Sequence, residues 1–136
     1  MRAPSLLRFI TALAVAAVLL PGPALASGKS KGEEPEESYL RVAALTAGVS
    51  LPSGRRGVIT VEPGVDAADP ALRVKVEQSL PRLRAGWFAV LQRYAAGLRP
   101  GAAPNADQLA RQMQAETDRI LGARGAKFLI GSVLIH

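Results

Sequence analysis

The most constraining feature of the sequence is a stripe of apolar residues between positions 70 and 97. These residues recur every three or four positions, as on one face of an α-helix, over about six turns. Asp69 and Pro70 mark the helix start, because aspartate accepts the free amides of a first turn and proline suits its first position. Pro81 removes one backbone hydrogen bond, so we expect a kink or a break near Gln78. The stripe comprises Leu72, Val76, Leu80, Leu83, Trp87, Val90, Leu91 and Tyr94.

The length of this predicted helix indicates a contact surface. A continuous helix over residues 70–97 is roughly 42 Å long at ~1.5 Å per residue. The strands expected nearby have about five to nine residues, so part of the stripe should project beyond the core. An overhanging apolar face suits self-association or a partner helix. Within the domain, Trp87 is expected to be the main core anchor.

Two strands are predicted before the helix. Tyr39 to Leu51 forms an apolar, strand-like stretch, and Gly57 to Glu62 follows with β-branched residues. The segment Ser53 to Arg56 joins them as a hairpin. In the second strand, Ile59 and Val61 point one way and their neighbours the other, which suits a sheet with one buried face.

A second helix is predicted to begin at Asn105, whose side chain can cap the first turn while Gln108 reaches back as in a capping box. Gly122 ends this helix, since glycine readily adopts the left-handed conformation found after a last turn. The helix is shorter and more polar than the first. Its apolar stripe comprises Leu109, Met113, Thr117, Ile120 and Leu121.

The chain closes with Lys127 to Ile135, which is apolar on both alternating faces. Such a pattern is typical of a strand covered on both sides, so we expect it inside the sheet. The order β-β-α-α-β predicts an α+β domain. A small antiparallel sheet, formed by the N-terminal hairpin and the C-terminal strand, should pack with two helices, the first of them long.

The N-terminus has the three parts of a secretory signal peptide, which we place at residues 1–26. Arg2 and Arg8 precede an apolar run from Phe9 to Leu20, and Ala24-Leu25-Ala26 forms a small-residue cleavage site. The alternative is a retained membrane anchor, but a run of about 12 residues covers only ~18 Å of an apolar layer ~30 Å thick. We therefore expect export to the periplasm by the general secretory route, with no transmembrane helix in the mature chain.

Residues 27–38 carry no large apolar side chain and are rich in charge, so we expect a flexible linker before a single domain at residues 39–136. The chain of 136 residues contains no cysteine, which excludes disulfides and thiolate metal sites. The formal charge of 17 − 11 = +6 falls to 15 − 11 = +4 without residues 1–26, which hold two arginines. The basic residues are dispersed, which favours a solubilising surface over nucleic-acid binding.

The sequence gives little support to an enzymatic function, and we expect no catalytic residue, cofactor or metal. His136 is the only histidine, so the serines have no base nearby to activate them. Glu62, Asp66 and Asp69 could bind a hard cation or act as acid and base. Capping and turn formation explain these three residues better, because their spacing matches no ligand loop.

A possible binding feature is Gly54-Arg55-Arg56-Gly57. Two guanidinium groups and free loop amides could hold a phosphate or a carboxylate. An exposed hairpin tip with solubilising charges is the commoner outcome. A second hypothesis is therefore a periplasmic binding module, which would hold an anion or a peptide near Arg55 and Arg56 or along a strand edge.

From Tyr39 to Ile135 the order of elements resembles the periplasmic domain of the flagellar basal-body-associated protein FliL family. After the hairpin, the resemblance rests on four segments: Leu80-Pro81-Arg82-Leu83-Arg84, the helix end Leu91-Gln92-Arg93-Tyr94, a second helix from Leu109 with the tail Ile120-Leu121-Gly122, and the strand Phe128 to Ile135.

The resemblance implies a stomatin-like α+β fold, assembly into rings or arcs, and a supporting role around flagellar stator units rather than catalysis. The predicted signal peptide departs from the family's usual membrane helix, so the chain is expected to be a diverged, secreted relative. Homo-oligomers and contacts with motor or envelope proteins are then expected. The candidate interaction residues are Arg55, Arg56, Pro81, Arg82, Arg84, Trp87, Leu91 and Tyr94.

Overall fold

A computed structural model describes residues 38–136 and confirms the α+β class, with a small antiparallel sheet and two helices, the first long. The predicted signal peptide and most of the predicted linker lie outside the described residues. In chain order the elements are β1 (Tyr39–Arg41), β2 (Leu45–Ser50), β3 (Arg56–Asp66), α1 (Pro70–Gly97), α2 (Ala106–Leu121) and β4 (Lys127–Ile135).

The sheet is built around β3, which pairs antiparallel with every other strand. β1 and β2 lie along one side of β3 and β4 along the other. Leu45 is opposite Val61 across one ladder, and Ile59 is opposite Ile135 across the other. The predicted hairpin is confirmed, as is the alternation that buries Ile59 and Val61. Both helices pack on that buried face, with α1 over β2 and α2 over β4.

The second predicted strand is longer than expected, because it continues through Pro63 to Asp66. Proline cannot donate to a ladder and is normally confined to edge strands and bulges. Here both neighbours are irregular at this point: the partner strand is interrupted at residues 42–44, and the register with β4 shifts between Val61 and Pro63. The Pro63 carbonyl still accepts from the Val42 amide at 3.1 Å. The side of Pro63 that lacks a donor therefore faces the interruption at residues 42–44, which is how the central strand accommodates a proline.

The prediction that the last strand lies inside the sheet was wrong. Within residues 38–136, β4 pairs with β3 alone and forms an edge of the sheet. Its inner face packs on the core through Phe128, whereas Leu129 and Leu134 on its outer face are exposed. Residues 38–136 therefore cover only one of the two apolar faces of this strand.

Helix α1 has the predicted bounds, and the Asp69 side chain accepts from the Ala71 amide at 3.2 Å. The helix continues through Pro81, so the alternative of a break near Gln78 was wrong. Pro81 is exposed, while Val76 and Leu83 on either side of it are fully buried. Core packing of both halves compensates for the hydrogen bond that proline removes.

The expected overhang of α1 was also wrong. The apolar stripe is covered along its length, from half-buried Leu72 to buried Ala95, because α2 packs beside α1 as the sheet packs beneath it. The helix length is matched by β3, whose eleven residues span about 36 Å. Neither helix of the described part is long and apolar enough to cross a membrane.

Trp87 occupies the centre of the core, as predicted, with no exposed surface. Its indole Nε1 donates to Thr117 Oγ1 on α2 at 2.9 Å, and that hydroxyl donates to the Met113 carbonyl at 2.8 Å. The ring lies against Phe128 of β4, with centroids 5.1 Å apart. One side chain therefore connects both helices and the edge strand.

Candidate functional site

Two of the residues predicted for an interaction surface on α1 are buried in the core. Trp87 and Leu91 each have 0% of their surface exposed, so neither is available to a partner. The apolar residues that were expected to contact a partner instead pack in the core of the domain. Trp87 and Leu91 are therefore corrected to core residues, whereas Pro81 and Arg82 are exposed and Arg84 and Tyr94 are half-buried.

The Pro-x-x-Arg element of α1 has a structural position. Arg84 Nη1 donates to the Ala43 carbonyl at 2.8 Å, which connects α1 to the interruption between β1 and β2. Arg82 Nη2 donates to Ser79 Oγ at 3.2 Å on the same helix. Pro81 itself is exposed. Arg84 therefore stabilises the junction of helix and sheet, whereas the Arg82 contact lies within the helix.

Tyr94 connects the end of α1 to the start of α2. Its hydroxyl accepts from the Asn105 amide at 2.6 Å. The Asn105 side chain in turn accepts from the Gln108 amide at 2.9 Å, which confirms the predicted cap. The second half of the expected capping box is absent among these contacts. The Asn105 amide donates to the Tyr94 hydroxyl, where the Gln108 side chain was expected to accept.

The hairpin tip offers fewer anion-binding donors than expected. The Leu51 amide donates to the Arg55 carbonyl at 2.9 Å, and the Gly54 amide donates to the Leu51 carbonyl at 3.0 Å. The Arg55 amide faces Ser53 Oγ at 3.4 Å. Arg55 and Arg56 are exposed, so an anion at this loop would rely on the two guanidinium groups rather than on a ring of free amides.

The acidic residues between the second strand and the first helix are separated from one another. Glu62 and Asp66 both belong to β3 and lie roughly 13 Å apart along it. Glu62 accepts from Ser132 Oγ at 2.9 Å, and Asp69 caps α1. Within residues 38–136, no group of three histidine, cysteine or acidic residues could hold a metal ion. Sheet geometry therefore separates carboxylates that are close in sequence.

A groove of about 570 Å³ lies between α1 and α2 at the end near the hairpin. Arg93, Glu116 and Arg119 line it. Arg119 donates Nε to Glu116 Oε2 at 2.9 Å and Nη2 to the other oxygen. This hydrogen bond lowers the pKa of Glu116 against a smaller opposing effect of burial, and the charges of Arg119 and Arg93 lower it further. The groove is open and mixed in charge, and its only acid is already paired with arginine.

The most distinctive surface is the face of the sheet opposite the helices, which we call the outer face. Val58, Leu129 and Leu134 lie on it and are 37%, 42% and 58% exposed. Leu134 is opposite Thr60, and Leu129 is opposite Gly64, over which the Tyr39 ring lies. This surface was not predicted from the sequence, although the signal was present: a strand that is apolar on both faces fits either a central strand or an edge strand with one uncovered face.

The free edge of β4 presents unpaired backbone groups beside this outer face. Among residues 38–136 no strand pairs with β4 on the side away from β3. Exposed apolar side chains next to an unpaired strand edge favour contact with another polypeptide. This combination, rather than any cluster of catalytic side chains, is the candidate functional site.

No protein-family model matches the chain, and no curated protein matches it significantly.

Proposed function

We propose that this protein is a non-enzymatic assembly or scaffold protein of the bacterial envelope, similar to the FliL family, that supports the flagellar basal body or its stator units. The observation that carries the assembly role is the exposure of Leu129 and Leu134 on an edge strand, at 42% and 58%. A large apolar side chain gains about 1.5–3 kcal/mol on complete burial, so a covering partner would be stabilising.

The composition of the edge strand supports contact with protein rather than simple tolerance of solvent. Natural edge strands are protected by proline, by central charges or by a covering element. In β4 the one charged residue is Lys127, at the first position, and the strand contains no proline. The protective features among these nine residues are therefore limited to Lys127 at one end and the irregularity at Gly131 and Ser132.

The location and the link to motility are supported by the sequence. The leader-like residues 1–26 favour export, and the Pro-x-x-Arg element with the surrounding order of elements underlies the resemblance to FliL. A long helix on a small antiparallel sheet is compatible with the fold that the resemblance implies.

The test is deletion of the gene in the source organism, with swimming in soft agar and fluorescence of labelled stator units as readouts. We expect reduced swimming and reduced stator occupancy. The wild-type gene should restore both, and a variant with Leu129→Lys and Leu134→Lys should not. Val74→Lys with Phe88→Lys is the matched control, because these residues are similarly exposed on α1. Unchanged motility and occupancy in the deletion strain would overturn the flagellar role.

The second candidate is a periplasmic module that binds a peptide along the β4 edge or an anion at Arg55 and Arg56. The unpaired strand edge favours the peptide, because an added strand gains main-chain hydrogen bonds. Replacement of both arginines by alanine distinguishes the anion site from the peptide site. Loss of phosphate or carboxylate binding supports the anion site, and unchanged binding rules it out.

A further inference from the structure

The direction of the backbone groups of β4 follows from three contacts of β3. Val58 exchanges two hydrogen bonds with His136, at 2.8 and 3.1 Å, so the backbone groups of Val58 point toward β4. On the opposite side, the Pro63 carbonyl accepts from Val42 and the Ala67 amide donates to Ser38. Backbone direction alternates along a strand. Even-numbered residues of β3 therefore face β4, and odd-numbered residues face β1 and β2.

The same alternation identifies the free groups on β4. Leu134 is opposite Thr60 and Leu129 is opposite Gly64, so both leucines use their backbone groups on the β3 side. The residues next to them in the strand direct their backbone groups to the unpaired edge. These residues are Phe128, Ile130, Val133 and Ile135.

This set of free groups is self-complementary. We infer that β4 pairs antiparallel with β4 of a second copy, about a twofold axis between Gly131 and Ser132. Phe128 is then opposite Ile135 of the second copy, and Ile130 is opposite its Val133. All four residues whose backbone groups point to the free edge then form hydrogen-bonded pairs. Across the interface these pairs provide about eight backbone hydrogen bonds.

The same register pairs the exposed side chains. Leu129 is opposite Leu134 of the second copy on the outer face, and the reverse pair forms on the other side of the axis. Opposed residues of a non-hydrogen-bonded pair bring their side chains close together, and apolar pairs of this kind stabilise sheets. The irregularities at Gly131 and Ser132 oppose each other at the axis. Lys127 and His136 lie at the ends of the interface, where they remain solvated.

The other edge of the sheet is a poorer partner. It is interrupted at residues 42–44, and its outer-face positions in β2 are small or polar: Thr46, Gly48 and Ser50. Pairing of β4 with β2 of another copy would also be a head-to-tail contact that continues into a ring or a chain, whereas the twofold pairing closes with two copies. The apolar edge strand therefore selects its own copy.

The expected dimer is weak. Two paired strands of nine residues are about 30 Å long, and an edge ~10 Å thick buries roughly 300 Å² per copy. Specific stable complexes bury about 800 Å² per partner. The pairing should therefore depend on protein concentration. The β4 pairing rests on the proposed assembly role, because it supplies one of the contacts that this role requires. The pairing is nevertheless tested separately from motility.

The absence of cysteine from the chain allows a direct test with protein expressed from the full gene. In the double variant Leu129→Cys with Leu134→Cys, opposed Cα atoms would be about 4.5 Å apart, within the range for a disulfide. Two copies of either cysteine alone would be separated by about five residues, or roughly 17 Å. Mild oxidation should therefore give a covalent dimer in the double variant and monomer in each single variant.

A charge exchange tests the register without a covalent bond. Leu129→Lys with Leu134→Lys opposes like charges and should abolish the concentration-dependent dimer in sedimentation. Leu129→Glu with Leu134→Lys opposes unlike charges and should restore it. Both positions are exposed, so folding, checked by circular dichroism, should not change.

Several outcomes would overturn the pairing. The double-cysteine variant would remain monomeric at high concentration, or the single variants would cross-link equally well. Cross-linking only after removal of residues 27–37 would show that the N-terminal segment, rather than a second copy, covers β4. None of these outcomes bears on the motility test, so failure of the pairing and failure of the flagellar role are distinguishable.

Discussion

The indole of Trp87 and the hydroxyl of Thr117 form a buried hydrogen bond of 2.9 Å between the two helices. Neither residue has exposed surface, so water cannot replace either partner. A buried donor without an acceptor costs about 1–3 kcal/mol. The relative position of α1 and α2 is therefore specified by a polar contact within an apolar core.

We expect Thr117→Val to lower the free energy of unfolding by about 1–3 kcal/mol, because the indole N–H loses its acceptor. In a Trp87→Phe background the same substitution should cost close to nothing, since no donor remains. Urea unfolding followed by circular dichroism measures all four proteins. Equal costs in the two backgrounds would contradict the role of this hydrogen bond.

We expect Tyr94→Phe to lower the free energy of unfolding by about 0.5–1.5 kcal/mol, because the Asn105 amide loses its acceptor at the start of α2. Hydrogen exchange should accelerate at the Asn105 amide more than at amides in the middle of α2. Tyr39→Phe is the control, since no hydrogen bond through its hydroxyl is found among residues 38–136. A similar loss in both variants would argue against a specific connection between the helices.

We expect Gly64→Ala to be destabilising because of Tyr39. An added Cβ would overlap the Tyr39 ring, which lies directly over this glycine, so β1 would have to move. Overpacking of this kind typically costs about 1–3 kcal/mol. In a Tyr39→Ala background Gly64→Ala should be neutral or slightly stabilising, because alanine restricts the unfolded chain. Thermal unfolding of the four proteins checks this, and a loss that persists without Tyr39 would contradict it.

Glu116 should make stability depend on pH in the acid range. Its pKa is lowered in the folded protein, chiefly by the hydrogen bond from Arg119. The stabilising contribution is therefore present above the unfolded pKa of about 4.3 and is lost as pH falls through the lower folded value. The difference in unfolding free energy between the wild type and Glu116→Gln should be constant from about pH 7 to 5 and shrink below about pH 4.

Direct titration of the carboxyl by nuclear magnetic resonance provides the second readout. Arg119→Gln should move the pKa of Glu116 up toward its ordinary value, because the largest cause of the shift is removed. An unchanged pKa in that variant would assign the shift to another cause. High salt should reduce the contribution of Arg93, which acts through charge alone.

Local signals in the sequence were sufficient for the class and for most elements. Asp69 and Asn105 specified both helix starts, because capping depends on residues within the same turn. The alternation at Ile59 and Val61 identified the buried face of β3. Trp87 was predicted as the core anchor from its place in a helical stripe. Each of these predictions rests on a pattern among residues close in the chain.

Other features depended on contacts distant in sequence. The passage of β3 through Pro63 depends on the interruption at residues 42–44, because the side of Pro63 that lacks a donor faces that interruption. The acceptor for the Asn105 amide comes from Tyr94 on the preceding helix. The candidate site was missed for the same reason, since no local pattern states whether the second face of β4 meets another layer.

The sequence by itself determined the bounds of both helices, the presence of the hairpin and which faces of the elements are apolar, because those properties arise from backbone preferences and side-chain spacing. Tertiary structure alone decided which apolar faces were covered. The apolar stripe of α1 is covered by the sheet and by α2, whereas the outer face of β4 is exposed beside an unpaired edge. Burial depends on which surfaces the whole fold brings together. The identity of an apolar residue does not reveal whether it packs in the domain's own core or lies on a surface that a second chain can cover.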